Sequence, residues 1–328
     1  MRRTGRGAAR LRGVRLVTED EITAAQRRLA GRVVHTPLLP CPRLGDDLGL
    51  PLAVKAENLQ HTGSFKTRGA LNALLALAER DAPPAGLVAF SAGNHAAAVA
   101  YAGHAFGLPT VVCMPTWAVS TKVATVRRYG AEVLLTDELV ATARALAAER
   151  GWHLLEPFDH PDVIAGAATV GREILADGPP PDLVLVPVGG GGLISGVAAA
   201  LRSTSPRTRV VGVEPAGANV VSYALRTAGG VPPQRPSSVA DGLAAPFAGQ
   251  HTLAHVRALV DAVVEVPEES ILPAWAELLD ATKLLVEPSA AVGLAALRAG
   301  LVETSPHGRT VLVLSGGNVA PATLATLG

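Results

Sequence analysis

Lys66 is the residue of this chain whose setting most suggests chemistry. Only four lysines, Lys55, Lys66, Lys122 and Lys283, stand among 29 basic residues. Lys66 lies in Thr62-Gly-Ser-Phe-Lys-Thr-Arg-Gly69, after a strand and opening a helix. The helix N-terminus and the apolar Phe65 both disfavour an ammonium there. An amine of lowered pKa is a nucleophile able to form a Schiff base. The plainer alternative is a solvated lysine on a first helical turn. Ser91-Ala-Gly-Asn-His95 also joins a strand to a helix. Its backbone N–H groups, the Ser91 hydroxyl and the Asn94 amide can hold a carboxylate, or serve only as turn and cap. Val188-Gly-Gly-Gly-Gly-Leu193 follows an apolar strand, and its four glycines let backbone N–H groups wrap a phosphate at a helix start. Neither glycine pair continues into Gly-x-Gly-x-x-Gly, so one phosphate fits better than a pyrophosphate. Leu314-Ser-Gly-Gly-Asn318 sets Ser315 just past a strand, where ligands of open α/β sheets gather. One amine, a carboxylate cradle, a phosphate cradle and a terminal hydroxyl together suit an aldehyde cofactor with one phosphate, acting on an amino acid.

These motifs need elements to carry them. Thr18 and Glu21 form a capping-box pattern that predicts a helix to about Ala30, stopped by Gly31. Strands are expected at Leu52–Ala56, Leu87–Phe90, Thr110–Cys113, Glu132–Leu135, Trp152–Leu155, Leu183–Val188, Arg209–Val213, Ala262–Val266 and Val311–Leu314. Helices are expected at Asn94–Phe106, Lys122–Tyr129 and Glu138–Arg150, with others between the later strands. Short apolar strands alternating with helices predict an α/β fold with parallel sheets covered on both faces. The Pro- and Gly-rich stretch Gly229–Ser238 predicts a long surface loop.

Composition excludes several classes. The 328 residues are 48% hydrophobic and 17% charged, which is a folded chain of one or two domains. With 29 basic and 28 acidic residues and only 3% aromatics, nothing marks a nucleic-acid surface. Two cysteines, Cys41 and Cys113, cannot make a disulfide framework or a four-thiolate zinc site, and free thiols suit a reducing, cytoplasmic setting. Residues 82–121 carry no Asp, Glu, Lys or Arg. Ser91, Asn94, His95, Pro109 and Pro115 nevertheless interrupt them, so no membrane span is expected. The first fifteen residues hold six arginines and no acid. No apolar run follows, as a secretory signal would need, and residues 1–17 are expected to form a disordered tail.

The motifs in order resemble the fold type II pyridoxal-phosphate enzymes, in particular the serine/threonine dehydratase (threonine ammonia-lyase) and serine racemase group. The matching stretches run from about Thr36 to Val319. They include Lys55-Ala-Glu-Asn-Leu-Gln60, Gly63-Ser-Phe-Lys-Thr-Arg-Gly-Ala70, Ser91-Ala-Gly-Asn-His95, Phe158-Asp-His-Pro161 and Pro187-Val-Gly-Gly-Gly-Gly192. Gly212-Val-Glu-Pro215, Val239-Ala-Asp-Gly242, Glu287-Pro-Ser289 and Leu314-Ser-Gly-Gly-Asn318 complete the set. The resemblance implies a two-domain fold like that of tryptophan synthase β. A small mobile domain, 86–155, would sit within a large cofactor-binding domain, 18–85 plus 156–328. It implies pyridoxal 5'-phosphate held by Lys66 as a Schiff base, with Lys66 later moving the substrate α-proton. Phe65 would pack by the pyridine ring, Asn94 would bond the ring hydroxyl, and Gly189, Gly190, Gly191 and Gly192 would bind the phosphate. Ser315 would bond the ring nitrogen, and Ser91, Asn94 and His95 would line the substrate carboxylate site. The implied reaction is loss of water from a β-hydroxy amino acid, L-threonine or L-serine, by a homodimer. An amino-acid racemase, a β-replacement synthase or a non-catalytic cofactor-binding protein are the alternatives. The chain ends about ten residues after the Ser315 motif, so feedback control by isoleucine is not expected.

Departures from the pattern carry information too. Racemases of this group have a second serine where this chain has Ala92, which disfavours two-base racemization. Some relatives hold a divalent cation after Gly-Val-Glu-Pro. Glu214 and the Ala218 carbonyl match as weak candidate ligands, but the Asp position aligns with Val220. Ala97 and Ala167-Ala168 replace common Gln and Gln-Gly, which leaves the substrate open among threonine, serine, 3-hydroxyaspartate and bulkier β-hydroxy amino acids.

Overall fold

Hydrophobic strands punctuated by glycines and prolines dictate the architecture, and the computed structural model of the chain describes residues 14–80 and 83–325. In chain order, α1 (Glu19–Leu29) opens on the expected capping box, with Thr18 and Glu21 bonding reciprocally. Next come β1 (Leu38–Pro40), α2 (Pro42–Leu48), β2 (Leu52–Ala56) and α3 (Lys66–Arg80). A second group follows: β3 (Leu87–Phe90), α4 (Asn94–Phe106), β4 (Thr110–Met114), α5 (Ser120–Arg128), β5 (Glu132–Leu135), α6 (Leu139–Arg150) and β6 (His153–Leu154). The chain then runs through α7 (Pro161–Ala176), β7 (Leu183–Pro187), α8 (Gly192–Thr204), β8 (Arg209–Pro215) and α9 (Val220–Arg226). It closes with α10 (Gln250–Leu259), β9 (Ala262–Val266), α11 (Glu268–Thr282), α12 (Val292–Arg298), β10 (Thr310–Leu314) and α13 (Pro321–Leu324).

Two sheets result. The larger has the order β1-β2-β10-β7-β8-β9 and the smaller β5-β4-β3-β6. All pairings are parallel except β1 with β2, where Leu38 faces Lys55 across an antiparallel edge. That edge strand is absent from the sequence reading, because three residues ending in Pro40 give no alternation to detect. Both faces of the larger sheet are covered. One packs Leu185, Val213, Trp275 and Leu294, and the other Val184, Val186, Ile194 and Val197, which is why the central strands β7 and β10 carry no charged residue. The smaller sheet is covered by α4 and α5 on one side and by α6 on the other.

Several boundaries move. The helix expected at Lys122–Tyr129 runs Ser120–Arg128, β4 gains Met114, and β8 reaches Pro215. Residues 1–13 of the expected tail lie outside the described residues. Residues 14–17 require a correction: Val17 is buried and its N–H donates to His255 Nε2 at 2.8 Å, while Arg15 pairs with Glu21 at 2.5 Å. An apolar side chain with a bonded amide is part of the fold. The stretch 229–238 is irregular, as its glycines and prolines predict. Among the described residues no helix is long and apolar enough to cross a membrane.

Candidate active site

Several strand ends converge on Lys66. It is the first residue of α3, and its Nζ donates to the Pro157 carbonyl at 2.8 Å. The Phe65 and Phe158 ring centroids lie 5.1 and 6.0 Å from Nζ. No carboxylate pairs with it among the described residues. Loss of hydration without a compensating charge lowers its pKa to about 8. At pH 7 about a tenth of the amine is therefore uncharged, against well under a thousandth for an ordinary lysine, as a nucleophile needs.

Phe158 ties the amine to the glycine loop. A Cβ on Gly190 would stand 2.5 Å from the Phe158 ring, and one on Gly192 would stand 2.9 Å from Phe158 Cβ. Gly191 has φ +92° and caps α8, a backbone that L side chains rarely adopt. The N–H groups of Gly189–Gly192 reach no acceptor among the described residues. Free amides before a 13-residue helix make a ready anion cradle. Phe158 belongs to the quoted Phe158-Asp-His-Pro161 motif, but no property of the sequence alone gave its ring a task.

On the opposite side the turn after β10 meets α3. Phe65 N–H donates to the Ser315 carbonyl at 3.1 Å, and Ser64 bridges Gly316. Ser315 is buried, and its hydroxyl has no partner among the described residues. The Ser64 and Ser289 hydroxyls are likewise buried and unpartnered. Buried hydroxyls without partners are costly unless a bound group or water completes them. These hydroxyls leave hydrogen-bonding capacity for a bound group with several polar atoms.

The Ser91–His95 segment keeps the N–H groups at the start of α4 free of any side-chain cap, and the Ser91 hydroxyl accepts from Gly93 N–H at 3.1 Å. Asn94 is held at both ends: its Nδ2 donates to Glu287 Oε1 at 2.8 Å and its Oδ1 accepts from Asn318 Nδ2 at 2.9 Å. His95 is the third residue of that expected site. Its ring is buried, Nε2 bonds the Leu155 carbonyl at 2.9 Å, and burial drops its pKa to about 3. Its side chain therefore stays neutral and points into the protein. Only its backbone can serve a carboxylate. A cavity of about 110 Å³ opens here, lined by Gly93, Asn94, Ala97, Lys122 and Asn318 among others. A larger one of about 750 Å³ sits at the opposite strand ends, against Leu38, Leu50 and Pro306.

The sequence reading missed what holds Lys66 in place. Arg68 is fully buried and grips two carboxylates, Glu57 through Nε and Nη2 at 2.8 Å each, and Glu173 at 2.6 and 2.7 Å. Lys55 adds a 2.7 Å bond to Glu173. These charges tie the start of α3 to β2 and α7, and bidentate geometry fixes the angle as well as the distance. The charges within Lys55-Ala-Glu57 and Thr-Arg68 were the available signal.

Glu214 is spoken for. It is buried, and its carboxylate accepts from Val221 N–H and Ser222 N–H at 2.8 Å and from Ser222 Oγ at 2.6 Å. It serves the first turn of α9 rather than facing a cation beside the Ala218 carbonyl. No group of three or more His, Cys, Asp or Glu suited to a metal occurs among the described residues.

Residues 29–316 match the family of pyridoxal-phosphate dependent enzymes. Among curated proteins, L-threonine ammonia-lyase of Geobacter sulfurreducens is 44% identical over 93% of this chain and 77% of its own length. L-threo-3-hydroxyaspartate ammonia-lyase of Saccharomyces cerevisiae is 38% identical over 94% of this chain and 96% of its own. Among solved structures, the T.th. threonine deaminase superposes with a TM-score of 0.87 at 41% identity, covering 92% of this chain and 99% of that one.

Proposed function

The chain belongs to the pyridoxal-phosphate dependent enzymes, and we propose that within that family it removes water from a β-hydroxy amino acid, L-threonine or L-serine, to give a 2-oxo acid and ammonia. Its cofactor is pyridoxal 5'-phosphate. The observation that carries the reading is the partly buried Lys66 amine without a carboxylate partner, flanked by Phe65 and Phe158, with the free amides of Gly189–Gly192 packed against the same Phe158. When bound, the cofactor supplies an aldehyde for the substrate amine and a ring that withdraws electrons from the α-carbon.

The residues divide the remaining work. Lys66 holds the cofactor and, once released, takes the α-proton at Nζ. Its lowered pKa makes it a base near neutral pH. Gly189–Gly192 hold the phosphate by their N–H groups, and α8 adds its dipole. Phe65 and Phe158 exclude water from the amine. The N–H groups opening α4, with the Ser91 hydroxyl, hold the substrate carboxylate. Asn94 donates to the ring oxygen and Ser315 to the ring nitrogen. A neutral serine leaves that nitrogen largely unprotonated, which suits a reaction in which the leaving hydroxyl takes the electrons promptly. The hydroxyl departs as water, taking the proton from the Lys66 ammonium formed in the first step, and hydrolysis of the released enamine gives the 2-oxo acid and ammonia. Ala92 offers no hydroxyl across the α-carbon from Lys66, which supports elimination over racemization. The unit around β3–β6 closes on substrate, and Lys122 reaches from it to Asp241 at 2.5 Å.

The test is an absorbance spectrum of cofactor-loaded protein between 300 and 550 nm, with 2-oxo acid assayed in the same cuvette. L-threonine, L-serine and threo-3-hydroxyaspartate are added in turn. A band that changes with oxo-acid release, both lost in Lys66→Ala, is the expected result and ranks the substrates. A band that responds to all three without oxo acid would overturn the lyase reading.

A further inference from the structure

Glu287 stands in the pocket without a task in the reaction above. It is 3% exposed. Its backbone N–H donates to the Gly316 carbonyl at 3.0 Å, and its Oε1 accepts from Asn94 Nδ2 at 2.8 Å. A Cβ on Gly316 would stand 2.7 Å from Glu287 Oε1 and 3.1 Å from Asn94 Nδ2, so residue 316 must lack a side chain for this contact to exist. At the other end of the amide, Asn318 Nδ2 donates to Asn94 Oδ1 at 2.9 Å and to the Thr62 carbonyl at 2.7 Å. An acceptor on the nitrogen and a donor on the oxygen leave Asn94 one orientation. A flipped amide would set like against like at both ends. One Nδ2–H then remains uncommitted.

We propose that Glu287 is a positioning residue. It fixes the Asn94 amide so that the free Nδ2–H meets the cofactor's ring oxygen, and its charge, one amide away, sets how readily that oxygen bears a negative charge. This rests on the proposed placement of Asn94 beside the cofactor. The charged groups facing Glu287 are Asp241, from the turn 241–243, and Lys122, from α5. The Ser289 hydroxyl, the Asn94 amide and the Asn318 backbone N–H are its neutral neighbours. Burial, then Asp241, raises its pKa to about 7, against the pull of Asn94, Lys122 and the Asn318 backbone N–H. The carboxyl therefore changes charge near neutral pH, where a hydrogen-bonded network transmits the change.

The experiment is a pH titration, from 6 to 9, of the absorption band of the cofactor-loaded enzyme without substrate. The wild type is expected to change with a midpoint near 7, and Glu287→Gln to stay flat across that window with cofactor bound. Asp241→Asn removes a like charge from an exposed position, so it leaves the fold intact and lowers the midpoint by about half to one pH unit. A Glu287→Gln titration matching wild type, or an unmoved Asp241→Asn midpoint, would overturn the proposal. Should Glu287→Gln fail to take up cofactor, the Asp241→Asn midpoint alone decides. Asn94→Ala separates the two levels. A wild-type spectrum in that variant refutes the placement of Asn94, whereas a changed spectrum beside an unchanged Glu287→Gln refutes only the role of Glu287.

Discussion

Replacing Arg68 by Met removes the cation that holds Glu57. The two residues are both fully buried and share two bonds of 2.8 Å. The other carboxylate on Arg68 keeps a partner, because Lys55 Nζ stays 2.7 Å from Glu173. Among the described residues, the Glu57 carboxylate would retain the Thr36 hydroxyl at 2.5 Å and no cation. One buried carboxylate thus loses its counter-charge, and breaking a buried pair from one side costs about 3–5 kcal/mol. At a slope of about 3 kcal/mol per molar, the urea midpoint should fall by about 1–1.7 M. A second substitution makes the cause specific. Glu57→Gln added to Arg68→Met deletes the stranded charge, so the double variant should recover most of the loss. If the lost bonds themselves dominated, the double variant would be no better than the single. A single-variant loss under about 1 kcal/mol, in the range of exposed pairs, would refute the idea that this cluster anchors α3. Because Lys66 lies two residues from Arg68, the single variant should also bind cofactor more weakly.

Three further outcomes are expected. Gly190→Ala drives a Cβ to 2.5 Å from the Phe158 ring. At about 1–3 kcal/mol for such overpacking, cofactor titration should show a Kd raised about 5- to 150-fold. Lys66 titrates at about 8 in the fold against 10.5 in the unfolded chain, so the unfolded state binds more protons between those values and stability rises with pH. Relative to Lys66→Met, the cofactor-free protein should gain about 3 kcal/mol from pH 8 to 10.5, measured by denaturant unfolding. Ala92→Ser should raise the ratio of racemization to elimination, read by chiral chromatography of serine after incubation.

The legible part of the fold was the part with a period. Leu87–Phe90, Glu132–Leu135 and Ala262–Val266 carry short apolar runs with clear stops, and their bounds match the strands. Thr18 and Glu21 announced α1 because a capping box is local chemistry. Leu38–Pro40 was silent because its strand character comes from a partner rather than from its own sequence. The glycine loop and Lys66 were visible as unusual residue types at helix starts. His95 and Phe158 were not readable in this way. Which way a ring turns depends on Leu155, Gly190 and Gly192, which lie far off in sequence. The Arg68 cluster joins residues up to 118 positions apart, and a charge inside a signature motif does not reveal its partner.

The order of the larger sheet also bears on how the protein is made. β10, residues 310–314, lies between β2 and β7. As synthesis proceeds from the N-terminus, these two central strands are made long before it and wait with facing edges unpaired. Unpaired edges recruit strands from other chains, and long-range parallel pairing is slow. Ser315 and Asn318 arrive with that same strand. A nascent chain therefore gains the closed sheet and a complete pocket in a single late event. Cofactor, which needs that pocket, would act after the last strand docks and would pull the finished fold away from aggregation.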